Sequence, residues 1–489
     1  MIPAQEQPWE NTRDDICALS QRNMTLKTFL IPRTTFFAIA AGLLAGVHLL
    51  AFAVLRVHPL ALLAGYSSLI FSTLLGYQLL GRKKALLKDN LLALIISYLV
   101  GTVVVTMATF GLLHFEKGAY VPHGIWGLYV SGALWFLLSG AKRELFSRKS
   151  VEGALSVEVQ LILLLVGTAL TLVTVYGYNK TGVRPNWGWN DDKLLHLNGF
   201  LSPMAHHGWP VPGQKLFHNF VQVFYLGQSK LVGAWSFERI RDLYFISGLP
   251  IYIATLYLVA ATARTFFHIT SSRRLALVIT SVAFLGAIDY PFFRLGSNSY
   301  MPMINFTGYY HNTTLWLSNA FALGGIVLFL HFLKYEKRLF SWAMFLFVGS
   351  FFFKPSFFTI IAPAAFLLFP LYIKRFNFDQ LGALLLGAGL VVFWVAYPRL
   401  LHIPPGSVDV GFAPFRVMVA AMQGRFPAFI LKYKLIAFGI LMLFSFPLFV
   451  PILWDRMGRH FKLTEEGMRI RWPFTFKKHG VHLFFLLLF

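Results

Sequence analysis

The chain has 489 residues, 57% of them hydrophobic and 17% aromatic, but only 13% charged, with a formal net charge of +23. A soluble domain carries roughly 25% charged residues, so the composition argues against a water-soluble globular fold. The basic residues fall at the ends of apolar runs, as the positive-inside rule requires, which argues against nucleic acid as the partner. The one cysteine, Cys17, leaves no internal disulfide to form.

In chain order, residues 1–34 read as a cytoplasmic tail. Residues 1–23 do not resemble a signal peptide, since they carry Glu6, Glu10, Asp14 and Asp15 and have no apolar core. Met24 is an alternative start. Apolar runs then predict spans near 35–56, 59–80, 91–113, 123–140, 155–177, 244–263, 275–293, 314–333, 339–353, 357–373, 379–397 and 434–454. Their continuous rather than alternating hydrophobicity predicts helices and not a barrel. The expected fold class is all-α, a polytopic transmembrane bundle of about 12 to 13 spans. A four-helix part covers 35–150, and a core part covers 151–454. A cytoplasmic segment, 455–489, ends in the apolar run Leu483–Phe489, which reads as a truncated helix.

Basic clusters follow every second span. They include Arg82, Lys83 and Lys84, then Lys142 and Arg143, then Arg273 and Arg274, then Lys337 and Arg338, then Lys374 and Arg375. This phase places the N-terminus in the cytoplasm. Two long outer loops follow, 178–243 and 398–433. Long loops without a fold of their own tend to be functional.

In the first loop, Asp191 and Asp192 follow Trp187 and Trp189. Adjacent carboxylates beside the membrane fit three roles. They can take a proton from an attacking hydroxyl, hold a divalent cation through hard oxygen ligands, or cap a helix through Leu194, Leu195 and Leu197. His196 lies within that stretch as a substrate-binding candidate. Farther on, Phe217, Phe220, Val221, Phe224 and Tyr225 recur at helical spacing, with His218, Asn219 and Gln222 on the other side. The pattern predicts an amphipathic helix lying in the membrane interface. The pair His206-His207 lacks the spacing of a metal site.

Asp289, near the outer end of a span, is a functional candidate by its depth or a structural partner of Arg294. Tyr310, His311 and Asn312 lead into the next span, either as an aromatic-belt set with a helix cap or as a substrate site whose Asn and His side chains suit sugar hydroxyls or phosphates. Lys354 lies outside, against the charge rule and among phenylalanines, where it can snorkel or neutralise a lipid-carrier phosphate. His402, Arg416 and Arg425 occupy the second loop, where the arginines suit either bidentate phosphate contact or the membrane surface alone. The outer side carries more Lys and Arg than Asp and Glu, so its expected partner is anionic.

The stretch Gly308-Tyr-Tyr-His-Asn-Thr-Thr314, a following span and then Phe353-Lys-Pro-Ser-Phe357 resembles bacterial envelope-polysaccharide membrane proteins. These are the Wzy-type glycan polymerases and GT-C-like glycosyltransferases. The resemblance covers roughly residues 305–373. It implies an inner-membrane enzyme that transfers sugar from a polyprenyl (pyro)phosphate-linked donor, with Asp191 or Asp192 as base. In GT-C enzymes the acidic loop residue normally follows the first span, whereas here the pair follows the fifth. Membrane lipids and an envelope assembly complex are the other expected partners, and a non-catalytic scaffold in such a complex is a further reading. A flippase or transporter of a lipid-linked glycan is the competing function.

Overall fold

The computed structural model describes residues 58–81, 90–115, 118–140, 159–168, 219–231, 237–267, 269–287, 313–334, 339–353, 461–464 and 467–470, with scattered positions elsewhere. The described residues form helices, apart from one hairpin. Helix α1 is Pro59–Leu80, α2 Asn90–His114, and α3 Val121–Leu138 after a 3-10 turn at Gly118–Tyr120. Then come α4, Asn219–Lys230, α5, Phe237–Phe267, and α6, Ser272–Ala287. Helix α7 is Thr313–Lys334 and α8 is Phe340–Phe353. Strands β1, Phe461–Thr464, and β2, Gly467–Ile470, pair antiparallel with Phe461 opposite Ile470. Among the described residues the hairpin is the one departure from the expected all-α fold.

Local chemistry sets the helix ends. Pro59 takes the first position of α1, where its missing N–H costs nothing. His58 caps it, Nδ1 accepting from the Leu60 amide at 3.2 Å. Gly81 stops it at φ 54°, a backbone state that favours glycine. Gly140, at φ 71°, lies just beyond α3 in the same way.

Among the described residues, four helices, Pro59–Leu80, Leu91–Leu113, Val121–Leu138 and Ile246–Arg264, are long and apolar enough to cross a membrane. Helix α3 leaves Leu134, Trp135, Leu137 and Leu138 exposed, with Leu138 at 84%. That apolar flank suits lipid, where it has no cost of hydration. This is the character of a helical membrane protein.

The tightest packing joins α1 and α2. A Cβ on Gly76 would strike the Ser97 carbonyl, and one on Gly101 would strike the Ser72 carbonyl. Ser72 with Gly76 and Ser97 with Gly101 therefore form facing small-xxx-small pairs, the device by which helices in lipid bring their backbones together. Helices α7 and α8 are clasped differently. Ser318 Oγ donates to the Ser350 carbonyl and Ser350 Oγ to the Ser318 carbonyl, each at 3.0 Å.

Helix α4 corrects an expectation. The sequence pattern predicts a helix lying flat in the interface, yet Phe220, Val221, Gln222, Val223, Phe224, Tyr225 and Leu226 are all buried. Helix α4 packs against α2, α5, α8, α1, α3 and α7. Val223 and Leu226 make its second face apolar, so it fits inside the bundle. At 12 residues it is about 18 Å long, too short to cross a bilayer. Helix α5 also starts earlier than expected, at Phe237, so the segment read as a loop over 178–243 contains one buried helix and the start of another.

Candidate functional site

Two features of the described residues adjoin at Phe224, which belongs to one and lines the cavity beside the other. The first is an aromatic seam. Phe220 of α4 stacks on Phe352 with centroids 4.8 Å apart, and Phe353 stacks on Phe321 of α7 at 4.7 Å. Phe110 of α2 reaches Phe220 at 5.2 Å, and Phe224 meets Phe353 edge-on at 6.4 Å. The run Phe351-Phe352-Phe353 thus packs inward at the end of α8, which accounts for three consecutive phenylalanines there.

This seam and the Ser318–Ser350 clasp hold the start of α7 beside the end of α8. In the chain, Tyr310, His311 and Asn312 directly precede Thr313, and Lys354 directly follows Phe353. The two motifs that carry the family resemblance are therefore attached to neighbouring helix ends. Tyr310, His311, Asn312 and Lys354 themselves lie outside the described residues. So do Asp191, Asp192, His196, Asp289, Arg294, His402, Arg416 and Arg425. Among the described residues no group of three or more His, Cys, Asp or Glu could hold a metal ion.

The second feature is a buried polar network that the sequence reading missed. Ser247 Oγ on α5 donates to Gln228 Oε1 on α4 at 3.0 Å. Gln228 Nε2 donates to Ser68 Oγ on α1 at 3.0 Å. The Tyr129 hydroxyl on α3 donates to the same Ser68 oxygen at 3.1 Å, and lies 3.3 Å from Ser72 Oγ. Four helices are tied through neutral groups, with no charge to desolvate. Beside the network lies a cavity of about 10 Å³, lined also by Thr102, Thr106 and Thr109 of α2. The available sequence signal was the spacing of Ser68 with Ser72 and of Thr102 with Thr106 and Thr109, each on one helical face.

Gln228 is the keystone of the network, because both ends of its amide are used. Gln228→Met, which keeps the shape but makes neither bond, is expected to cost about 1–3 kcal/mol. Differential scanning fluorimetry of the purified protein checks this as a lowered Tm. An unchanged Tm would mean that the four helices hold together without the network.

No protein-family model matches the chain, and neither a curated protein nor a solved structure does.

Proposed function

We propose that the chain is a glycosyltransferase or polysaccharide polymerase of the bacterial cytoplasmic (inner) membrane, crossing it many times. On this reading it uses a polyprenyl (pyro)phosphate-linked sugar donor at the outer face. The observation that supports the reading is the pairing of α7 and α8 through Phe321–Phe353 and Ser318–Ser350. At one pole of the bundle it holds the start of α7, which directly follows the Tyr-His-Asn motif, beside the end of α8, which directly precedes the Lys-Pro-Ser motif. That pole is the one assigned to the outside by the alternation of basic clusters.

The chemistry is direct displacement at the anomeric carbon. Asp191 or Asp192 takes the proton of the acceptor hydroxyl as it attacks. Lys354, Arg416 and His311 stabilise the negative charge that develops on the leaving phosphate. His196, Asp289, Arg294, Tyr310, Asn312, His402 and Arg425 are assigned to the sugar and the rest of the carrier headgroup. A divalent cation at Asp191 and Asp192 is the alternative role for that pair.

The competing reading is a flippase or transporter of a lipid-linked glycan. The buried polar network favours it, since transport needs polar groups inside the bundle. Its cavity, with room for one water, admits no sugar, and its members are neutral. The experiment that separates the two uses purified protein in nanodiscs and in vesicles with a polyprenyl-linked oligosaccharide pool. Gel ladders and mass spectrometry should show sugar addition or chain growth. No product, together with movement of a labelled carrier lipid between leaflets, would replace the enzyme with the transporter.

A further inference from the structure

The cavity among α1, α2, α3 and α4 has an unbalanced set of hydrogen-bonding groups. Thr106 Oγ1 has given its proton to the Thr102 carbonyl at 2.7 Å, and Thr109 Oγ1 to the Val105 carbonyl at 2.8 Å. Both oxygens can now only accept. Ser68 Oγ already receives two donors, from Tyr129 and Gln228. Thr102 Oγ1 is the odd member: it is buried without a well-formed hydrogen bond, and the Tyr98 hydroxyl one turn back interacts with it and competes for its proton. A buried hydroxyl with an unused proton is unfavourable in protein and more so in lipid.

The space beside it, about 10 Å³, corresponds to roughly one water. A water there accepts from Thr102 and donates to two of the remaining oxygens, making the three bonds usual for buried water. Gly227 keeps the space open. A Cβ at that position would come within 3.1 Å of Thr109 Oγ1 and 3.2 Å of Ile125 Cδ1.

We propose that a single structural water binds between Thr102, Thr106 and Thr109 and completes the junction of α1 to α4. A monovalent cation is the competing occupant. Every polar group that lines the cavity is neutral, so a dehydrated cation would lie in a low dielectric with no counter-charge.

The test rests on a sign. In the full chain in nanodiscs, Thr102→Val removes the hydroxyl while keeping the shape. With the water bound, the variant strands one of its bonds and lowers Tm by a few degrees, while Thr102→Ser stays near the parent. With no water, Thr102→Val removes an unsatisfied group, and Tm holds or rises, which overturns the proposal. Tyr98→Phe is expected to be additive with Thr102→Val. Non-additivity would assign Thr102 to Tyr98 instead and also overturn it. A Tm that differs among sodium, potassium and N-methylglucamine chlorides at equal ionic strength only in the parent, and not in Gly227→Ala, would replace the water with a cation.

Discussion

Gly101→Val is expected to remove most of the folded protein. The new side chain would have to occupy the position of the Ser72 backbone carbonyl. A flexible side chain can rotate away from such a clash, but a helix backbone cannot. Helices α1 and α2 would have to move apart along their whole contact, and Gly76 against Ser97 would open with them. Overpacking a core ordinarily costs about 1–3 kcal/mol. Displacing two backbones belongs at or beyond the upper end, against a total stability of roughly 5–15 kcal/mol for a folded domain. The control is on the same helix, because a Cβ at Gly111 meets nothing within 4 Å. Gly111→Val changes the same propensity without the clash. Size-exclusion yield in mild detergent and Tm together read the comparison. Equal behaviour of the two variants would show that the α1–α2 contact does not limit stability.

Helices α1 and α8 illustrate what could be read from the sequence alone. Their apolar runs end at Pro59 and Gly81 and at Phe353, so composition and local stop signals were enough. Helix α4 was readable as a helix but not as a buried one. Phe220, Val221, Phe224 and Tyr225 define a strong apolar face, and Asn219 and Gln222 look like a wet one. Burial depends on Gln228 finding Ser68 and Ser247, groups 160 and 19 residues away. Hydroxyls and amides are common and neutral, so nothing in their spacing announces such a meeting. The buried network was therefore invisible in a search for charges within spans. The candidate catalytic residues were conspicuous for the opposite reason, because carboxylates, lysines and arginines stand out near apolar runs. Asp191, Asp192, Arg416 and Arg425 lie outside the described residues, so their roles are decided by chemistry rather than by geometry.

On the glycosyltransferase reading, Asp191→Asn/Asp192→Asn loses at least 100-fold in the initial rate of sugar transfer. General-base catalysis contributes typically 10²–10⁴-fold, and an amide cannot take the proton of the attacking hydroxyl. Asparagine keeps the size and still caps a helix, so Tm and yield should match the parent. That separates a chemical role from a capping one, in which Asp→Asn changes neither rate nor stability by much. The single variants locate the base. One should behave like the double variant and the other close to the parent. A metal-holding role differs in two ways. Both single variants would then be impaired, and chelation would abolish parental activity until a divalent cation was restored. Full activity in the double variant would remove both carboxylates from the mechanism. Asp289, the acidic residue read at the outer end of a span, would then be the next base to test, with Lys354 and Arg416 retained at the leaving group.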